Sequence, residues 1–139
     1  MMEILNIEPT HISPTIRFNP EKNDFSIIGK SAPEDVRALY YPVIDWMDKF
    51  KGEIIRGDYK IFNETNPLTF RFDLNYFNSA SAKFILDILI SLKKISESGI
   101  HVVAEWHYEE DDIDMKEAGE DISELVGMEL KYIIKPSLA

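Results

Sequence analysis

The sequence predicts a single α/β domain, a mixed β-sheet with helices packed against it. Segments alternating with period two are interleaved with segments of helical periodicity. Residues 68–108 read as strand, helix and strand joined by short turns, which makes a right-handed parallel crossover unit. The chain has 139 residues and a 45% apolar fraction, without an internal repeat or a Gly/Ser/Pro-rich linker, which suits one core over residues 1–139.

Pro9, Pro14 and Pro20 mark an irregular stretch around the first strands. Residues 15–19 and 24–28 each alternate with period two, and Pro20-Glu21-Lys22-Asn23 between them is a turn by composition. Together they predict a β-hairpin. In Ser31-Ala32-Pro33-Glu34, a serine three residues before a glutamate matches a capping box, with proline in the first turn. Val36, Leu39, Tyr40, Val43, Ile44, Met47 and Phe50 then recur at helical spacing, and Gly52 supplies a stop. Pro42 inside this run predicts a kink.

Residues 53–67 are polar and have room for one short strand. Residues 68–77 alternate clearly, with Leu68, Phe70, Phe72, Leu74 and Tyr76 on one face. After Asn78-Ser79-Ala80-Ser81 the period changes: Phe84, Ile85, Ile88, Leu89, Leu92 and Ile95 form a helical stripe closed by Gly99. Residues 100–108 return to a strand, residues 111–125 form an acidic helix, and residues 128–134 form the last strand. Trp46 and Trp106 fall in periodic elements and are assigned to the core.

Net charge is −10, from 25 acidic and 15 basic residues. Such a surface repels nucleic acid and anionic membranes at long range, and favours a partner with a basic patch. The absence of cysteine excludes disulfides, thiolate metal sites and cysteine nucleophiles. No apolar run approaches the length of a membrane span, and the first residues lack the pattern of a signal peptide. The expected location is the cytoplasm.

Asn78-Ser79-Ala80-Ser81 is the most informative junction. It lies at the carboxyl end of a strand and the amino end of a helix, where α/β proteins place their sites. Free amides there favour a negative group such as a phosphoserine. Asn and Ser are also ordinary helix caps, so the pattern alone admits both readings. The acidic residues from Glu105 to Glu124 could suit a divalent metal. Their spacing lacks the central glycine of a calcium loop, however, and a solvated face is the better reading. His101 and His107, placed on one strand, would stand about 20 Å apart and could not share a metal. His11 has no recognisable partner. No nucleophile–base pattern and no phosphate-binding glycine loop is present, so neither catalytic residues nor a cofactor or metal is expected.

Several stretches together resemble the SiaC family of bacterial regulatory phosphoproteins. They are Ser13-Pro14-Thr15-Ile16-Arg17-Phe18, Ile28-Gly29-Lys30-Ser31-Ala32-Pro33-Glu34 and Tyr41-Pro42-Val43-Ile44-Asp45-Trp46. They continue with Leu74-Asn75-Tyr76-Phe77-Asn78-Ser79-Ala80-Ser81-Ala82-Lys83, Trp106-His107-Tyr108-Glu109-Glu110-Asp111-Asp112 and Glu117-Ala118-Gly119. Their order and spacing cover most of the chain.

The resemblance implies a STAS-like fold, a sheet backed by helices as in anti-sigma factor antagonists. It also implies a non-enzymatic adaptor, phosphorylated by a serine/threonine kinase and cleared by a metal-dependent phosphatase. The unphosphorylated form would activate a diguanylate cyclase, raising cyclic di-GMP and favouring biofilm. The family's Asn-Thr-Ser-Ser motif falls on residues 78–81, which implies Ser79 as phosphoacceptor with Ser81 as the alternative. Asn78, Ser79, Ala80, Ser81 and Lys83 form the implied partner-binding stretch. Serine in place of threonine keeps the hydroxyl, whereas Ala80 removes one. An anti-sigma factor antagonist is the alternative function, and a metal-dependent hydrolase built on the acidic cluster the distant one.

Overall fold

Alternating side chains build one six-stranded sheet whose strands lie in the order of the sequence. The structure is a computed structural model and describes residues 1–136. Strands β1 (Leu5–Ile7), β2 (Thr15–Asn19) and β3 (Asp24–Ser31) run antiparallel. Strands β4 (Leu68–Phe77), β5 (Val102–Glu109) and β6 (Lys131–Lys135) continue from β3 in parallel. Helices α1 (Val36–Ile55), α2 (Ser79–Glu97) and α3 (Ile113–Val126) each connect two neighbouring strands. The expected hairpin, the crossover unit and the mixed sheet are all present.

Right-handed crossovers between successive neighbours place all helices on one face, and α2 touches both α1 and α3. The inward side chains of the sheet form the core. Ile16, Phe18, Phe25, Ile27, Phe70, Phe72 and Trp106 are each no more than 1% exposed. Phe25 stacks on Phe70 at 4.5 Å, and Trp46 closes over Phe18 at 5.2 Å. Both tryptophans are buried, as their periodic settings imply. The other face of the sheet carries Arg17, Arg71 and Lys131 out to solvent.

Helix α3 approaches β5 closely. The Trp106 indole N–H donates to the Met115 carbonyl at 2.9 Å. A Cβ on Gly119 would stand 2.6 Å from the indole ring, so only glycine permits this approach. Gly119→Ala is expected to lower stability by about 1–3 kcal/mol through overpacking, read as a lower urea midpoint with unchanged slope.

The structure corrects several local expectations. Strand β1 was not anticipated: three residues are too few to display a period. Ser31 does not cap α1. It ends β3 opposite Phe77, and Asp35 is the cap, its side chain accepting from the Ala38 N–H. The helix passes Gly52 to Ile55 and stops before Gly57, which has φ +90°. As expected of one periodic run, it continues through Pro42 as a single helix; Ala38, whose carbonyl Pro42 cannot serve, is exposed to water. Residues 53–67 form no strand: the first three end α1, and the rest hold a bridge between Asn63 and Asn66. His101 precedes β5 rather than lying in it.

Candidate functional site

β4 ends at Phe77 and α2 begins two residues later, which sets residues 78–81 at the carboxyl edge of the sheet. Asn78 is extended (φ −83°, ψ 171°), and its Oδ1 accepts from the Ser81 N–H at 2.8 Å. Its carbonyl accepts from the Ala82 N–H at 3.0 Å, and its own N–H donates to the Ser31 carbonyl at 3.0 Å. Asn78 is therefore the helix cap, tied back to β3. The amides of Ser79 and Ala80 remain without intrahelical acceptors, and they carry the positive end of the helix dipole. Removing the cap with Asn78→Ala should cost about 1 kcal/mol, measured as a lower thermal midpoint.

The two serines of this junction have opposite surroundings. Ser79 is the first residue of α2 and is exposed, as is Ala80. Ser81 is 0% exposed. Its hydroxyl donates to the Ser31 carbonyl at 3.1 Å, and the Ser31 hydroxyl donates to Ser81 Oγ at 2.8 Å. With the Ser31 proton engaged, the Tyr40 hydroxyl, 2.7 Å away, must donate to Ser31 Oγ. Burial pushes the Tyr40 phenol above its usual pKa, with the Ser31 and Ser81 hydroxyls pulling the other way, so it stays neutral and available as a donor. This closed network locks the end of β3, α1 and the first turn of α2 together beneath Ser79.

Above the network, α1 and α2 frame an open groove of about 450 Å³ lined by Arg37, Tyr41, Ser79 and Lys83. Arg37 and Tyr41 lie one turn apart on α1, and Tyr41 is 57% exposed. Phe84 forms the floor, stacked on Tyr40 at 5.2 Å and edge-on to Tyr41 at 6.0 Å. Lys83 Nζ lies 5.1 Å from the Phe84 ring and 3.8 Å from Asp87 Oδ2. The Arg37 side chain makes no ion pair or hydrogen bond among the described residues. At the end of β4 a second cavity, about 310 Å³, is lined by Tyr76, Phe77, Asp112 and Asp114. Exposed Tyr76 and Ile113 stand on this side of the site. Arg37 and Tyr41 were not singled out as site residues from the sequence. Their signal was their position off the apolar stripe of α1, but nothing local indicated that this side faces α2.

The acidic stretch is distributed rather than gathered. Asp112 caps α3 by accepting from the Met115 N–H, and Glu105 accepts from or pairs with His107 at 2.9 Å. Among the described residues, no three His, Asp or Glu side chains converge as metal ligands. No helix among them is long and apolar enough to cross a membrane.

Sequence and fold together place the chain among regulatory phosphoproteins. It belongs to the SiaC family, whose model matches residues 7–135. An uncharacterised protein of Pseudomonas aeruginosa (strain UCBPP-PA14) is 30% identical over 123 residues, covering 88% of this chain and 90% of that one. The crystal structure of apo-SiaC from P. aeruginosa is similar at a TM-score of 0.74 and 28% identity, over 96% of this chain and 99% of that chain. SiaC in the crystal structure of the diguanylate cyclase SiaD with its activator SiaC, also from P. aeruginosa, is similar at a TM-score of 0.76 and 27% identity. That match covers 96% of this chain and 99% of the other.

Proposed function

We propose that the chain is a non-enzymatic adaptor that binds and activates a diguanylate cyclase while Ser79 is unmodified, and releases it when Ser79 is phosphorylated. The observation that carries this reading is the placement of Ser79. It is an exposed hydroxyl at the first turn of a helix, on a rigid floor, beside the exposed aromatic Tyr41. Exposed aromatics are strong docking anchors, and Tyr76 and Ile113 extend the apolar surface around the same sheet edge. Membership of the SiaC family and the likeness to an activator solved with its cyclase support the choice of partner.

A serine/threonine kinase transfers the terminal phosphoryl group of a nucleoside triphosphate to Ser79 Oγ. The Oγ–P bond forms, the bridging P–O bond to the nucleoside diphosphate breaks, and the hydroxyl proton leaves to base or solvent. A metal-dependent phosphatase uses water to release inorganic phosphate and restore the hydroxyl. The modification adds about −1.5 to −2 charge units at neutral pH to the docking face. Ser81 is a poor acceptor in this arrangement, because its hydroxyl is buried and engaged. Asn78 and Ala80 shape the docking edge, and Lys83 supplies a charge to it. The output is cyclic di-GMP signalling towards biofilm, and the site of action is the cytoplasm.

Calorimetry tests this with the diguanylate cyclase of the same organism and two forms of the chain, unmodified or carrying phosphoserine at position 79. Binding by the unmodified form only is expected. Equal binding by both forms contradicts the switch, and binding by neither, with an anti-sigma factor captured instead, moves the output to transcription.

A further inference from the structure

The groove beside Ser79 contains a pair of cations. Arg37 comes from the first turn of α1 and Lys83 from the second turn of α2, and both line the same groove as the Ser79 hydroxyl. The Arg37 side chain makes no ion pair or hydrogen bond among the described residues. Besides lying 5.1 Å from the Phe84 ring, Lys83 has a long, exposed contact with Asp87, at 3.8 Å. Such a contact adds little and is readily exchanged for a better acceptor. In a chain of net charge −10, two lightly engaged cations flanking one hydroxyl form a local exception to the field of the whole surface.

The floor beneath them is fixed. Phe84 lies face to face with Tyr40 at an interplanar angle of 4°, and Tyr40 is anchored through Ser31 to Ser81. The two helices therefore fix the backbone positions from which Arg37 and Lys83 reach into the groove, rather than leaving them on a flexible loop. Arginine and lysine are complementary receivers for a phosphomonoester: the guanidinium fork offers paired donors, and the ammonium a mobile point charge.

The geometry points to Arg37 and Lys83 as an internal receiving site for a phosphomonoester dianion, the phosphate on Ser79 itself. The inference rests on Ser79 being the modified residue. Phosphate then does more than add charge to the surface. It enters the groove, engages both cations and withdraws from a docking partner the two positive groups that the unmodified chain presents. The switch works by occupation of the groove as well as by repulsion.

The test is a ³¹P NMR titration of the full chain carrying genetically encoded phosphoserine at position 79, without kinase or cyclase. The second ionisation of a free phosphoserine lies near pH 6. Two held cations should lower it by about one unit relative to the same chain unfolded in urea. Arg37→Gln and Lys83→Gln should each return part of the shift, and the double variant most of it. Both residues are exposed, so the variants keep the fold, which circular dichroism verifies. No shift in the folded chain overturns the inference. So does a shift that survives intact in the double variant, which would assign it to the helix amides alone. Because the phosphate is installed directly, loss of the cyclase reading leaves this result standing, and the reverse also holds.

Discussion

Ser79→Glu is expected to abolish the proposed activation of a diguanylate cyclase, whereas Ser79→Ala is expected to preserve it. Both substitutions leave the fold intact, since Ser79 makes no buried contact and its side chain points to solvent. Glutamate at the first turn of α2 even complements the helix dipole, adding about 0.3–1 kcal/mol of stability. From the same place in the helix it sets a charge against the docking face, in the groove shared with Tyr41. Like-charge or unpaired-charge burial at an interface costs several kcal/mol, on the order of a hundredfold in affinity. Stability and binding therefore move in opposite directions for Ser79→Glu, a combination that misfolding cannot produce. Thermal melting and cyclase turnover measured on the same preparations check it. Activation by both variants alike would show that charge at position 79 does not govern docking.

Trp106→Ala is the most destabilising single substitution expected among those considered. The indole is 1% exposed, lies 6.0 Å from the rings of both Phe72 and Phe77, and donates to the Met115 carbonyl in α3. Truncating a buried tryptophan costs about 3–5 kcal/mol, a large share of the 5–15 kcal/mol that holds a typical domain folded. The site lies close to this loss, because Phe77 directly precedes the Asn78 cap and also lines the cavity bearing Asp112. Gly119 couples to it: the Cβ that clashes with the indole has room once the indole is gone. The double variant Trp106→Ala/Gly119→Ala is thus expected to cost less than the sum of the two single changes. Urea unfolding of the four proteins measures the difference, and strict additivity would contradict the close packing of α3 on β5.

The elements most legible in the sequence are those with long, unambiguous periods. β4 alternates over ten residues and α2 carries a full apolar stripe, and both stand where the pattern puts them. Residues whose roles are set by distant partners were less legible. Ser31 and Glu34 fit a capping box, yet the pairing of Ser31 with Phe77 keeps the serine in β3 and passes the cap to Asp35. The burial of Ser81 depends on Ser31, 50 residues away in the chain, so periodicity alone could not separate it from Ser79. The candidate stretch Asn78–Lys83 was readable as a strand-to-helix junction and through its resemblance to a family motif. The contribution of Arg37 and Tyr41 was not, because it arises from α1 packing beside α2, and a helical stripe shows which side is buried but not which neighbour the other sides meet.

The most direct test of the regulatory account is the phosphate occupancy of Ser79 in two pools taken from the native host, the chain bound to its cyclase and the chain free of it. Mass spectrometry of both pools should find unmodified Ser79 in the bound fraction and phosphoserine concentrated in the free one. Equal occupancy in the two fractions, or no phosphate at Ser79 in either across growth states, would contradict the switch and leave the Asn78–Ser81 junction as a capped helix start alone.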